Sequence, residues 1–109
     1  MFDTSLFANT PKPPYYAVIF SSTLKTEDPN YKIMAEFMLT LASQSDGFLG
    51  EESAREQLGI TVSYWRDLKA IKDWKINTDH QLAQQKGKTI WYSHYITRIC
   101  KVEREYQMK

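Results

Sequence analysis

The chain has 109 residues, with 14 Lys and Arg against 13 Asp and Glu, a formal net charge of +1 and 14% aromatic residues. That length predicts one domain with a real core, still small enough to gain from burying more apolar surface by association. The balanced charge gives no electrostatic basis for nucleic acid or an anionic membrane as partner, and no stretch approaches the roughly 20 apolar residues that span a bilayer. The single Cys100 cannot form an internal disulfide, and residues 1–14 lack a basic region followed by a long apolar run. A cytoplasmic location is the expectation from these features.

Residues 1–14 end in Pro11, Pro13 and Pro14. Proline lacks an amide proton and favours extended geometry, so this segment is predicted to be an N-terminal extended arm, with Phe2, Leu6 and Phe7 available to anchor it, ahead of a domain over 15–109. The run from Tyr15 to Thr23 is rich in aromatic and β-branched residues on both alternating sets, which predicts a strand covered on both faces. Asp28 before Pro29 signals a helix start, and a helix is predicted from about Pro29 to Ser43. Its apolar stripe comprises Ile33, Phe37 and Leu41 with Met34 and Met38 beside them. A second strand follows over Phe48 to Ala54, with a bulge or a close backbone contact expected at Gly50, and a third over Ile60 to Trp65.

Asp67 is placed to cap a short helix ending at Trp74, with Leu68, Ile71 and Trp74 inward. Asn77 and Thr78 are expected to interrupt it, and a second short helix is predicted from Asp79 to Lys86, stopping at Gly87. The last strand, Lys88 to Glu105, alternates Ile90/Tyr92/His94/Ile96 and is long enough to suggest a bulge. The order strand, helix, strand, strand, helices, strand is the split βαβ pattern of an α+β, ferredoxin-like domain: a four-stranded antiparallel sheet with helices on one face. The other face carries apolar residues, so a homodimer packed sheet against sheet is expected.

The segments GFLGEES (47–53), ITVSYW (60–65), AIKDWK (70–75) and DHQLAQQKG (79–87), with WYSHY and the later VER (102–104), resemble the antibiotic biosynthesis monooxygenase-like family over roughly Tyr15 to Tyr106. The resemblance implies the dimeric α+β barrel fold and looks closest to a bacterial branch of small proteins. It implies two activities. Cofactor-free members oxidise polycyclic aromatic substrates to quinones with dioxygen, in a pocket between sheet and helices. Another branch binds and degrades haem through an Asn on the first strand, a Trp after the third, and an axial His ten residues beyond that Trp. Trp74 matches the Trp. Gln84 stands where the His would be, and no Asn occurs from Tyr15 to Leu24. His80 lies one helical turn before Gln84 on the same face and is the alternative iron ligand.

Each singled-out residue has a functional reading beside a structural one. Trp74 is a pocket wall stacking on a planar ligand, or a core aromatic; Trp65 is placed with it as a substrate contact. His80 is a proton-transfer group or a surface histidine. Asn77 and Gln84 hydrogen-bond a substrate oxygen, or are solvated and cap helices. Tyr92, His94 and Tyr95 serve acid–base chemistry on a phenolic substrate, or fill the barrel or dimer interface. Cys100 shares its side of the strand with Arg98 and is expected to be a buried, inert thiol. There is no Gly-rich phosphate loop, paired-Cys metal site, HExxH or GxSxG, and no metal site is expected.

The leading expectation is a monooxygenase that needs no cofactor and acts on an aromatic or polyketide-like small-molecule substrate, with His80 or His94 as catalytic base. The alternatives are a haem-binding or haem-degrading monooxygenase, and a non-catalytic small-molecule-binding or stress-response dimeric scaffold.

Overall fold

The computed structural model describes residues 6–25, 29–85 and 92–108, without the side chains of residues 29, 30 and 82–85. Six elements follow the predicted order: β1 (Tyr15–Leu24), α1 (Pro29–Ser43), β2 (Phe48–Arg55), β3 (Gly59–Trp65), α2 (Leu68–Gln85) and β4 (Tyr92–Val102). The strands form one antiparallel sheet in the order β2-β3-β1-β4, and the fold is α+β and ferredoxin-like. The sequence features at Asp28, Lys86, Gly87 and Ile90 lie outside the described residues.

One face of the sheet carries the hydrophobic core. Val18 and Trp65 meet Ala42 of α1 and Ala70 and Ile71 of α2, with Tyr16, Phe48 and Trp74 packed around them. Trp65 is the centre of this cluster at 0% exposure. Its ring meets Phe48 edge-on at 5.3 Å between centroids and Trp74 at 5.0 Å, and its indole Nε1 donates to Ser63 Oγ at 2.9 Å. A buried indole thus has its one polar atom satisfied.

Two irregularities set which residues share that face. The β2–β3 register passes from Phe48 opposite Trp65 to Gly50 opposite Tyr64, so one residue of β2 is left over at this step. The φ of Gly50, +151°, suits glycine, and a Cβ there would meet Ala8 Cβ at 2.8 Å. The bulge expected at this position is present. A second shift lies at the far end of β4, where Thr23 pairs with His94 but Leu24 pairs with Tyr92. The extra residue, Ser93, is tied by its hydroxyl to Thr23 Oγ1 at 2.7 Å. Tyr92 and Tyr95, three apart in sequence, are thereby turned to the same face.

Four expectations are corrected. The two short helices are one 18-residue helix, α2. Asn77 and Thr78 cost only a few tenths of a kcal/mol as helix residues, whereas Thr78 is 3% exposed on the inner side. Ion pairs Lys69–Asp73 and Lys75–Asp79 bridge successive turns outside. The inward stripe is Ala70, Ile71, Trp74 and Thr78, while Leu68 is 54% exposed. On α1 the stripe is likewise rotated: Ala42 is buried and Ile33 is exposed. Cys100 is exposed, because β4 is an edge strand that pairs with β1 alone among the described strands. Asp67 does cap α2, its Oδ1 accepting the Ala70 amide at 2.8 Å, and that bond holds its carboxyl below the usual range.

The opposite face of the sheet is partly covered by the arm and the C-terminal tail. Glu52 accepts the Ala8 amide at 3.0 Å and the Tyr64 hydroxyl at 2.7 Å. Glu105 accepts from Tyr15 at 2.8 Å and Thr10 at 3.1 Å, while Gln107 donates to its other oxygen at 3.0 Å. Gln107 and Tyr15 together hold the Glu105 carboxyl below its ordinary range. Leu6 and Phe7 are largely exposed; Phe2 lies outside the described residues. Beyond the arm the face is apolar, with exposed Ile60 and Ile96 beside half-buried Ile19 and Val62.

Candidate functional site

Between the sheet and α1 lies a cavity of about 390 Å³. Its floor follows from strand alternation: Glu51, Ser53 and Arg55 of β2 pair with Ser63, Thr61 and Gly59 of β3, all directed to the helix side. Val18 and Phe20 of β1 continue the floor, and Thr97, Tyr95 and Tyr92 of β4 close one side. Tyr31, Met34 and Met38 of α1 form the roof, and Trp74 of α2 the end wall. Flexible thioethers over an aromatic floor suit a planar apolar guest.

The polar groups of this lining include Glu51, Ser63 and Arg55, each in a distinct environment. Glu51 is half-buried, and burial alone pushes its carboxyl above the ordinary range. Ser63 is 6% exposed; its oxygen accepts the Trp65 indole, leaving the hydroxyl proton free for a guest. Trp74 Nε1 is a buried donor with no acceptor among the described residues. Such a group costs about 1–3 kcal/mol while it is unsatisfied.

The other end of the cavity is built on Arg55. Its guanidinium donates to the Ser22 carbonyl at 3.3 Å and to the Ser22 hydroxyl, and lies 5.2 Å from the centroid of the Tyr31 ring. It runs directly over Gly59, where a Cβ would overlap the guanidinium carbon at 2.1 Å. Tyr92 stands edge-on to Tyr31 at 6.0 Å and to Phe20 at 5.4 Å. Burial raises the Tyr92 hydroxyl pKa strongly, with the adjoining Tyr31 adding to it, so it remains a proton donor.

Of the residues singled out in the sequence, the fold brings Trp74, Tyr92 and Tyr95 to this cavity. Trp65 lies behind it, supporting Trp74 and Ser63. Asn77 and His80 sit on the outer side of α2, in a shallow depression with Asp73 and Ile76. His94 pairs with Thr23 on the opposite face of the sheet, because the bulge at Ser93 breaks the simple alternation with Tyr92. The side chain of Gln84 is outside the described residues. Glu51 and Arg55 were not anticipated. Their signal was the alternation Glu51/Ser53/Arg55 opposite Ser63/Thr61/Gly59, readable once β2 is oriented.

A histidine-ligated haem finds no axial ligand in the described lining of this cavity. The described cavity lining contains no histidine or cysteine, and His80 is on the far side of α2. No cluster of three His, Cys, Asp or Glu suited to a metal ion occurs among the described residues. No described helix is long and apolar enough to cross a membrane.

No family model matches the chain. The chain is 50% identical over 100 residues to the uncharacterised protein YqjZ of Bacillus subtilis, covering 90% of this chain and 88% of that protein. It is 26% identical over 92 residues to the jasmonate monooxygenase ABM of Pyricularia oryzae, covering 80% of this chain and 43% of the fungal protein. Among solved structures, a point mutant of SnoaB, a cofactor-independent oxygenase from Streptomyces nogalater, superposes with a TM-score of 0.71 at 9% identity, covering 84% of this chain and 95% of that one.

Proposed function

Because this chain belongs to the antibiotic biosynthesis monooxygenase-like family, in the branch that includes YqjZ, we propose that it oxygenates an electron-rich aromatic small molecule in the cavity beneath α1, with dioxygen and no cofactor. The observation that carries this reading is Glu51, a carboxylate on the floor of an aromatic-walled cavity and made more basic by burial there. The oxygenase likeness at the level of fold supports it.

In this reading Glu51 takes the proton of a polyhydroxylated arene, giving the arenolate anion. An arenolate is a far better electron donor than its phenol. It passes one electron to dioxygen, and the resulting aryloxyl radical and superoxide combine at the ring carbon para to the oxygen. Loss of that carbon's proton with O–O cleavage gives the quinone carbonyl and hydroxide, which takes the proton held by Glu51 and leaves as water. One dioxygen is consumed and one water released per quinone formed. The Ser63 hydroxyl serves as donor to the anionic oxygen, and the aromatic walls exclude water from the radical pair. The proposal is tested by dioxygen consumption on polyhydroxylated naphthalenes and anthracenes after chelator treatment. Saturable uptake with a one-to-one quinone yield is expected; no uptake above the buffer rate on any of them overturns it.

We further propose a homodimer in which the apolar outer face, Ile19, Ile60, Val62 and Ile96, packs on its counterpart around a two-fold axis. Sedimentation equilibrium at micromolar concentration is expected to give twice the chain mass of 12.8 kDa. A monomer throughout that range excludes this arrangement.

A further inference from the structure

We propose that the substrate of this cavity is a carboxylic acid, held by its carboxylate at Arg55, so that the cavity binds an aromatic acid in one fixed orientation. This inference rests on the proposed oxygenase reading for the word substrate, but not for the binding itself. The cavity is bipolar. Glu51 and Arg55 occupy the same side of β2, four residues or about 13 Å apart along the strand, which places an anion at one end and a cation at the other.

The Arg55 end is built to keep a cation ready. The partners that Arg55 has among the described residues are neutral: the Ser22 carbonyl and hydroxyl and the face of Tyr31. They orient the guanidinium plane without cancelling its charge. Ser22 itself is 2% exposed, so this support is a rigid part of the sheet. Gly59 supplies the space in which the guanidinium lies, and a Cβ at that position would require the guanidinium to move. Lys75 also borders the cavity, but its ammonium is engaged by both oxygens of Asp79 on the outside of α2.

Five N–H donors on a planar fork, two of them engaged by Ser22, leave an edge that fits two carboxylate oxygens side by side. Tyr31 and Tyr92 stand beside it, and Tyr92 keeps its proton. One guanidinium with neutral hydroxyl neighbours matches a monoanion and not a multiply charged phosphate. With its carboxylate here, a planar acid extends along the floor over Phe20 and Val18 and reaches Trp74 and Glu51 with its distal ring.

The test compares a naphthalene carboxylate with the corresponding carboxamide, by calorimetric titration without dioxygen, on the wild type, Arg55→Gln and Arg55→Lys. The wild type is expected to bind the carboxylate roughly tenfold or more tighter than the amide, as a charge-assisted bond requires. Arg55→Gln should abolish the preference, and Arg55→Lys, which keeps the charge but not the fork, should retain part of it. Equal or undetectable binding of the two probes by the wild type overturns the inference, as does an undiminished preference in a folded Arg55→Gln protein. Because no turnover is involved, a carboxylate preference without dioxygen consumption would overturn the oxygenase reading alone, and consumption without the preference would overturn this one alone.

Discussion

Replacing Glu51 with glutamine is expected to slow dioxygen consumption roughly 100- to 10,000-fold, the usual contribution of a positioned base, without loss of fold. Glutamine keeps the shape and hydrogen-bonding capacity of the side chain but cannot accept the substrate's proton. The pH dependence gives the sign. Burial raises the folded-state pKa of Glu51, so ionising it in place is harder than in the unfolded chain. The folded state therefore loses stability as pH rises from the unfolded pKa to that raised value, and the glutamine variant escapes the loss. The wild-type rate should rise with pH across the same raised pKa as the base becomes ionised. The variant should lack that rising limb while being at least as stable at neutral pH. A variant with the wild-type rate, or with an unchanged pH profile, would remove Glu51 from the chemistry. The paired readouts, thermal unfolding and the pH–rate profile, separate a lost base from a damaged fold.

The second large effect is on stability. Trp65→Ala is expected to cost about 3–5 kcal/mol, the range for removing a large aromatic from a packed core. Trp65 has no exposed surface and touches Phe48, Trp74 and Ser63, which come from β2, α2 and its own strand. Its removal opens a cavity at the junction of sheet and helix and strands the Ser63 hydroxyl. Trp65→Phe should cost less, since it keeps most of the ring contact and loses mainly the indole bond. Denaturant unfolding measures both. Equal and small losses in the two variants would mean that the core does not converge on this residue.

How much of this was legible follows from where local and non-local physics agree. The strands, the sheet type, the Asp67 cap and the Gly50 bulge are local features with strong signals, and the fold class follows from their order. The expected break at Asn77 and Thr78 failed because propensity is weak and the Lys75–Asp79 ion pair spans this point of the helix. His94 was grouped with Tyr92 by simple alternation, and one extra residue, Ser93, places it on the other face. Which residue a strand doubles at a bulge depends on its partner, and a single chain of letters does not contain the pairing. Glu51 and Arg55 resembled ordinary solvated charges; their role depends on α1 standing off the sheet far enough to leave a cavity above them. His80 was assigned by proximity in sequence to Gln84, but α2 turns it outward with Asp73, Ile76 and Asn77.

The most direct test of chemistry inside this cavity is dioxygen consumption with isotopically labelled dioxygen, run in parallel on the chelator-treated wild type and on Met38→Trp, whose larger ring would enter the space beneath α1. One labelled oxygen is expected in each quinone made by the wild type, with loss of turnover in a folded Met38→Trp protein that retains its secondary structure. Label arriving from water instead, or turnover undiminished when the cavity is filled, would place the reaction elsewhere and contradict this reading.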